Sequence, residues 1–201
     1  MDILIALILA VLTAARTGPV PRQQDTSNDA HDAVALGRTR DAALYDAFHA
    51  GYVLTPSAEV QRVEVITEFR RAVLIVRQHV EMGEFSFNEN NLARALVPFH
   101  GLVTFVAQLG LHPLHNFSKP PLYEMYVQTG PTTKPVPPTT FKREPVYPPG
   151  TPDTPPAMNG FLLELTVPRV DVSGASDPVL VIVNETSDVV WRGRLDMSRF
   201  R

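Results

Sequence analysis

Cysteine is absent from all 201 residues. Its absence excludes a disulfide framework, thiolate metal ligands, a cysteine nucleophile and a lipidated N-terminal cysteine. It leaves the compartment open, because exported proteins without disulfides are common. Basic runs are also missing: 18 Lys and Arg against 21 Asp and Glu leave a net charge of −3. Phosphate binding needs a clustered basic surface, so nucleic acid is not expected as a partner. The arginine pair Arg70-Arg71 sits beside Glu64 and Glu68 and reads as a solvated face of mixed charge. No G-x-G-x-x-G, P-loop or G-x-S-x-G pattern occurs, and no histidine stands at a recognisable spacing from a serine nucleophile.

What the sequence does hold is 44% hydrophobic residues, enough for a proper core, and an excess of proline, with 19 residues unevenly placed. It also holds an apolar run at residues 3–15. As a helix this run would be roughly 20 Å long, short of the roughly 30 Å hydrocarbon core of a bilayer. That length suits the apolar region of a signal peptide, with Thr13 and Ala15 at −3 and −1 of a cleavage site before Arg16. Against it, Asp2 precedes the run and no Lys or Arg does. An uncleaved anchor, with Arg16 and Arg22 keeping the body on the cytoplasmic side, and a buried N-terminal helix are the competing readings. Two N-x-[ST] sequons begin at Asn116 and Asn184 and matter only in a glycosylating cell.

Residues 16–38 are polar and small with little periodicity, so the expected organisation is a signal-like or anchor segment at 1–15, a polar tether at 16–38, and a single α+β domain at 39–201. Within the domain, Thr39 and Gly51 bracket a short helix, residues 60–67 read as a β-branched strand, and Phe69, Val73, Val76 and Val80 mark a helix ending at Gly83. The stretch "SFNE" reads as a capping box, with Ser86 opening a helix at residues 87–97. From Gly101 the period changes to two, predicting a strand through Val103, Phe105, Ala107 and Leu109, and a weaker one through Tyr123, Met125 and Val127. Residues 131–156 hold ten of the prolines and exclude a helix or a central strand, so they read as an extended connector. Three further strands are expected at residues 161–172, 179–184 and 189–197. In the last, Val189, Trp191, Gly193, Leu195 and Met197 share a face, which sends the only tryptophan into the core and Arg192 and Arg194 outward. The fold class is α+β: a mostly antiparallel β-sandwich-like body, a helical pair in the N-terminal half, and a proline-rich crossing segment.

The nearest thing to chemistry is His112-Pro113-Leu114-His115. An H-x-x-H pair binds zinc only when a third ligand joins it, and no spacing fixes His100 or Glu124 there. Flanked by Pro113, Asn116, Pro120 and Pro121, the histidines read as part of a turn between strands. The P-x-x-P pattern at Pro135 and Pro138 serves equally as a stiff spacer or a docking peptide. Glu81, Glu84 and Glu89 flank a helix–helix turn and read as solvated surface. No residue is therefore assigned a catalytic, cofactor-binding or metal role. The reading is a non-catalytic binding or structural module, exported or at the cell envelope, with an unidentified protein partner. It has no nucleic-acid partner and no cofactor, and touches a membrane only through residues 1–15 if these stay uncleaved. Two rivals are a small hydrolase or metal-dependent enzyme using His100, His112 and His115, and a membrane-anchored interaction protein.

Overall fold

A computed structural model describes residues 26–111, 121–130, 134–147 and 158–201. The apolar run at 3–15, His112, His115 and the sequon at Asn116 lie outside the described residues. The architecture is α+β, with helices beside two antiparallel sheets.

The first element corrects the expected tether. Residues 26–37 form helix α1 (Thr26–Gly37), which belongs to the folded body. Its contact face is made of small residues: Ala33 and Val34 are buried, and a Cβ at Gly37 would lie 2.7 Å from Val76. Helix α2 (Ala42–Ala50) is capped by Asp41, whose side chain accepts from Leu44 N, with Thr39 one step back accepting from Asp41 N at 3.2 Å. Helix α3 (Glu68–Glu81) buries Phe69, Arg70, Ala72, Val73 and Val76, and opens on Thr67, whose hydroxyl accepts from Arg70 N. It stops where the sequence places the stop. Gly83 takes φ +80°, its N–H donates to Val80 O, and Glu84 N donates to His79 O, a Schellman pattern that satisfies the last carbonyls.

The next helix starts later than the capping-box reading expects. Asn88, not Ser86, caps α4 (Glu89–Leu96), accepting from the backbone N–H groups of Asn90 and Asn91. The reason is tertiary: Phe87 is buried, stacked on His79 at 3.8 Å, and this holds the preceding residues out of the helix. A 3-10 turn, Val97–Phe99, ends the segment. The expected helical pair is thus a trio, since α1 packs with α3 and α4 around one buried cluster of Ala33, Val34, Phe69, Ala72, Val73, Val76, Phe87 and Leu92.

The strands are β1 (Val53–Leu54), β2 (Val60–Ile66), β3 (Leu102–Gly110), β4 (Glu124–Gln128), β5 (Thr140–Val146), β6 (Gly160–Pro168), β7 (Val179–Val183) and β8 (Val189–Arg194). They form a five-stranded sheet in the order β1-β2-β3-β6-β5 and a three-stranded sheet in the order β4-β7-β8, antiparallel throughout. Successive strands β3 and β4 therefore sit in different sheets, and the histidine-bearing segment connects one sheet to the other. A second buried cluster draws on both sheets: Val63, Val65, Phe105 and Leu165 from the larger, Met125, Leu180, Ile182 and Trp191 from the smaller.

Two more expectations need correction. The proline-rich connector contains β5, and the pairing uses its least proline-rich stretch: residues 140–144 carry none, and Pro145 follows opposite Phe161. As an edge strand β5 tolerates Pro145, which a central strand would not. Within the P-x-x-P segment Val136 is buried and donates its N–H to Val127 O at 2.8 Å, so this segment straps β4. The strand expected at 161–172 ends at Pro168 and gives way to helix α5 (Arg169–Ser173).

The β7–β8 hairpin bears out the outlook for Trp191. Trp191 is 6% exposed and its Nε1 donates to Thr55 O at 3.0 Å, while Arg192 and Arg194 face outward. Val189 does not join it: a shift of register beside Ile182 and Val183 leaves Val189 58% exposed. Asn184 organises the turn itself, its Oδ1 accepting from Thr186 N, Thr186 Oγ1 and Asp188 N. Ser187 completes the turn at φ 66°.

Candidate functional site

Where the helical layer meets α5 and the last residues, a groove of about 440 Å³ opens. Helix α3 supplies its floor through Phe69 and Ala72, because the buried stripe of that helix runs past the end of its cover. Ala30 of α1 forms one wall, and Ala93 and Leu96 of α4 form the other. Small side chains on the two walls leave the space that larger ones would fill. The size lies within the roughly 300–1,000 Å³ usual for small-molecule sites, and an apolar floor with few polar groups is their usual lining.

The polar groups of the rim are mostly satisfied by one another. At one end His100 Nδ1 lies 2.8 Å from Glu68 Oε1, and Glu68 Oε2 accepts from Gly101 N at 3.4 Å. At the other, Arg201 pairs with Asp29 and with Asp32 (2.7 Å), its guanidinium 4.2 Å over the Phe69 ring. The hydrogen bonds it donates to Asp29 and Asp32 push the Arg201 pKa still higher, so it is charged at every accessible pH. Arg169, the first residue of α5, differs from both. It donates to Phe200 O at 2.9 Å, and among the described residues no carboxylate lies within ion-pair distance of it. A half-buried cation without a counter-ion at an apolar groove favours an anion.

Beneath the groove lies a buried polar cluster. Arg70 is 2% exposed, and its guanidinium donates to Val65 O (2.9 Å), to His49 Nδ1 (3.1 Å) and to Glu64. Its Cζ sits 5.3 Å from the Tyr52 ring centroid. Because His49 accepts at Nδ1, the proton of the neutral ring is on Nε2, which is buried without a partner. Burial first, and then the Arg70 charge, pull the His49 pKa below its ordinary value. Thr67, fully buried, joins this cluster to the groove by donating its hydroxyl to Arg201 O. The cluster holds α2, β2 and α3 together, and the groove above it is where a ligand has room.

Of the candidate ligands His100, His112, His115 and Glu124, the structure places His100 at the groove, paired with Glu68. His112 and His115 lie outside the described residues, and Glu124 is on β4, in the smaller sheet. Among the described residues no group of three or more His, Asp or Glu is placed to hold a metal ion. Glu81, Glu84 and Glu89 are exposed and separately paired, with Arg77, His79 and His31. Asp29, Phe69, Arg169 and Arg201 were not legible as a set, because Asp29 and Arg201 are 172 positions apart and no local pattern joins them. No described helix is long and apolar enough to cross a membrane. No protein-family model matches the chain, and neither does any curated protein or solved structure compared with it.

Proposed function

We propose that the protein is a non-catalytic binding module, exported or held at the cell envelope by way of residues 1–15, with a sandwich-like β body that carries a ligand groove on its helical side. The observation that supports this reading is the groove itself: an apolar floor, paired charges at both ends, and one cation left over. Side chains of that kind bind and orient a molecule, with the hydrogen-bonded His100–Glu68 pair at one end of the groove. The apolar run at residues 3–15 supports export, and membrane contact is confined to that run if it stays uncleaved. An unidentified protein partner remains compatible with the exposed Phe85, Val97 and Val170.

Two experiments test the reading. Displacement of a fluorescent apolar probe is measured for the wild type and for Ala93→Trp, in which an exposed wall residue becomes large enough to fill the groove. Binding by the wild type and loss in the variant are expected, and equal signals from both would overturn the groove. Cell fractionation with N-terminal sequencing tests the location, where recovery of uncleaved protein in the cytosol would overturn export.

A further inference from the structure

We infer that the ligand of this groove is a small aliphatic monocarboxylate, its head on Arg169 and its tail along Phe69, Ala72 and Leu96. The inference rests on the groove being a binding site and adds what it binds. Three observations select this class. Every carboxylate at the rim is already engaged: Asp29 with Arg201, Glu68 with His100 and with Gly101 N–H. Arg201 is engaged as well, by two carboxylates, so among the described side chains of the rim Arg169 is the one cation without a carboxylate partner and no carboxylate side chain is left over. An alkylammonium ion would meet Arg169 with like charge, whereas a carboxylate would accept from a planar fork of donors. The rest of the groove offers carbon: the Phe69 ring and the side chains of Ala72, Ala93 and Leu96 have no donors or acceptors. A sugar or a nucleotide would leave most of its polar groups unpaired there, but an alkyl chain loses nothing by entering.

The Arg169 side chain is also held in place. Its Nη2 donates to the carbonyl of Phe200, whose ring is buried and stacked on Tyr52 at 5.7 Å. This fixes one edge of the guanidinium and leaves its other donors for a ligand. A cation immobilised before binding costs less entropy to engage than a free surface lysine.

Calorimetric titration of the full-length protein with hexanoate, octanoate and decanoate, and with 1-octanol and octylamine, tests the assignment. Affinity should rise about four-fold for each added CH₂ until the groove is filled, following the transfer value of about 0.8 kcal/mol per CH₂. Octanoate should bind about 10- to 100-fold more tightly than 1-octanol, the range for a hydrogen bond to a charged group. Arg169→Gln should abolish that preference, and Arg169→Lys should restore part of it. Melting curves establish that both variants are folded. If 1-octanol or octylamine binds as tightly as octanoate and Ala93→Trp removes the binding, the carboxylate assignment fails and the groove stands. If none of these ligands binds, or Ala93→Trp binds them as the wild type does, the groove fails too. A peptide with an apolar free C-terminus binding more tightly than decanoate would overturn the small-ligand assignment.

Discussion

Arg70 Nε donates to His49 Nδ1 across 3.1 Å, in a place where the arginine is almost wholly removed from solvent. The bond exists only while His49 is neutral, because a protonated Nδ1 has no lone pair to offer. Protonation would also put a second positive charge beside a buried guanidinium, with Glu64 and, more weakly, Asp46 to offset both.

The folded-state pKa of His49 is lowered, mainly by burial and then by Arg70. The unfolded chain therefore takes up the proton first as pH falls below about 6.5. Stability from this contact is complete above that pH and is lost as pH falls through the folded value. The wild-type melting temperature should drop more between pH 7 and 5 than that of His49→Gln, whose amide oxygen can accept the same bond without titrating. Parallel pH profiles for the two proteins would show that His49 is not the group responsible.

Trp191→Ala should cost about 3–5 kcal/mol, the range for emptying a buried large aromatic site. The indole also lies across Gly193, where an added Cβ would come 2.2 Å from the ring. Gly193→Ala should therefore displace the tryptophan and lower stability without removing any atom. Native emission should be blue-shifted and shielded from acrylamide. Emission like that of free tryptophan, with a stable alanine variant, would place Trp191 at a surface.

The α1–α3 contact predicts opposite results for two changes close together in sequence. Deleting residues 1–24 should leave the melting temperature unchanged, because the apolar run at 3–15 lacks the polar face that a helix packed on a body carries. Gly37→Val should cost about 1–3 kcal/mol, since its side chain would meet Val76 at 2.7 Å and Val73 O at 2.9 Å. A large loss on truncation would assign residues 1–24 to the body.

Zinc and nickel should leave the melting temperature of the wild type where it is. A metal at 100 times its dissociation constant would stabilise by about 2.7 kcal/mol, a shift easily seen. Comparison with His112→Gln/His115→Gln is decisive. A rise in the wild type that this double variant lacks would favour the metal-dependent enzyme built on His100, His112 and His115.

The strands were largely legible because their patterns are local. Alternation through Val103, Phe105, Ala107 and Leu109 predicted β3 and its buried face, and the same pattern around Trp191 predicted β8. Gly83 announced the end of α3 because a left-handed residue there needs no side chain. Helix α1 was hidden for the opposite reason: it meets α3 through alanine and glycine, which carry closeness of approach and little hydropathy. The cap at Asn88 was misread because burial of Phe87 against His79 outweighs a capping box, and no capping rule contains that term. The groove was invisible for want of any local sign, as Arg169 gains its meaning only when α5 is laid beside α3 and Arg201 beside Asp29.

Phe48 packs against both buried clusters, with its ring 5.9 Å from Phe69 on the helical side and 5.1 Å from Tyr52 on the sheet side. Phe48 and the Arg70 contacts to Val65 and Glu64 bridge the two cores, which are expected to open as two cooperative units. Amide protons of α4, over the smaller core, will exchange with solvent through partial openings that leave β3 and β6 protected. Weakening this bridge with Phe48→Ala should widen the gap between the two exchange rates. The helical layer would then be free to open around an arriving molecule while the sheets keep their register.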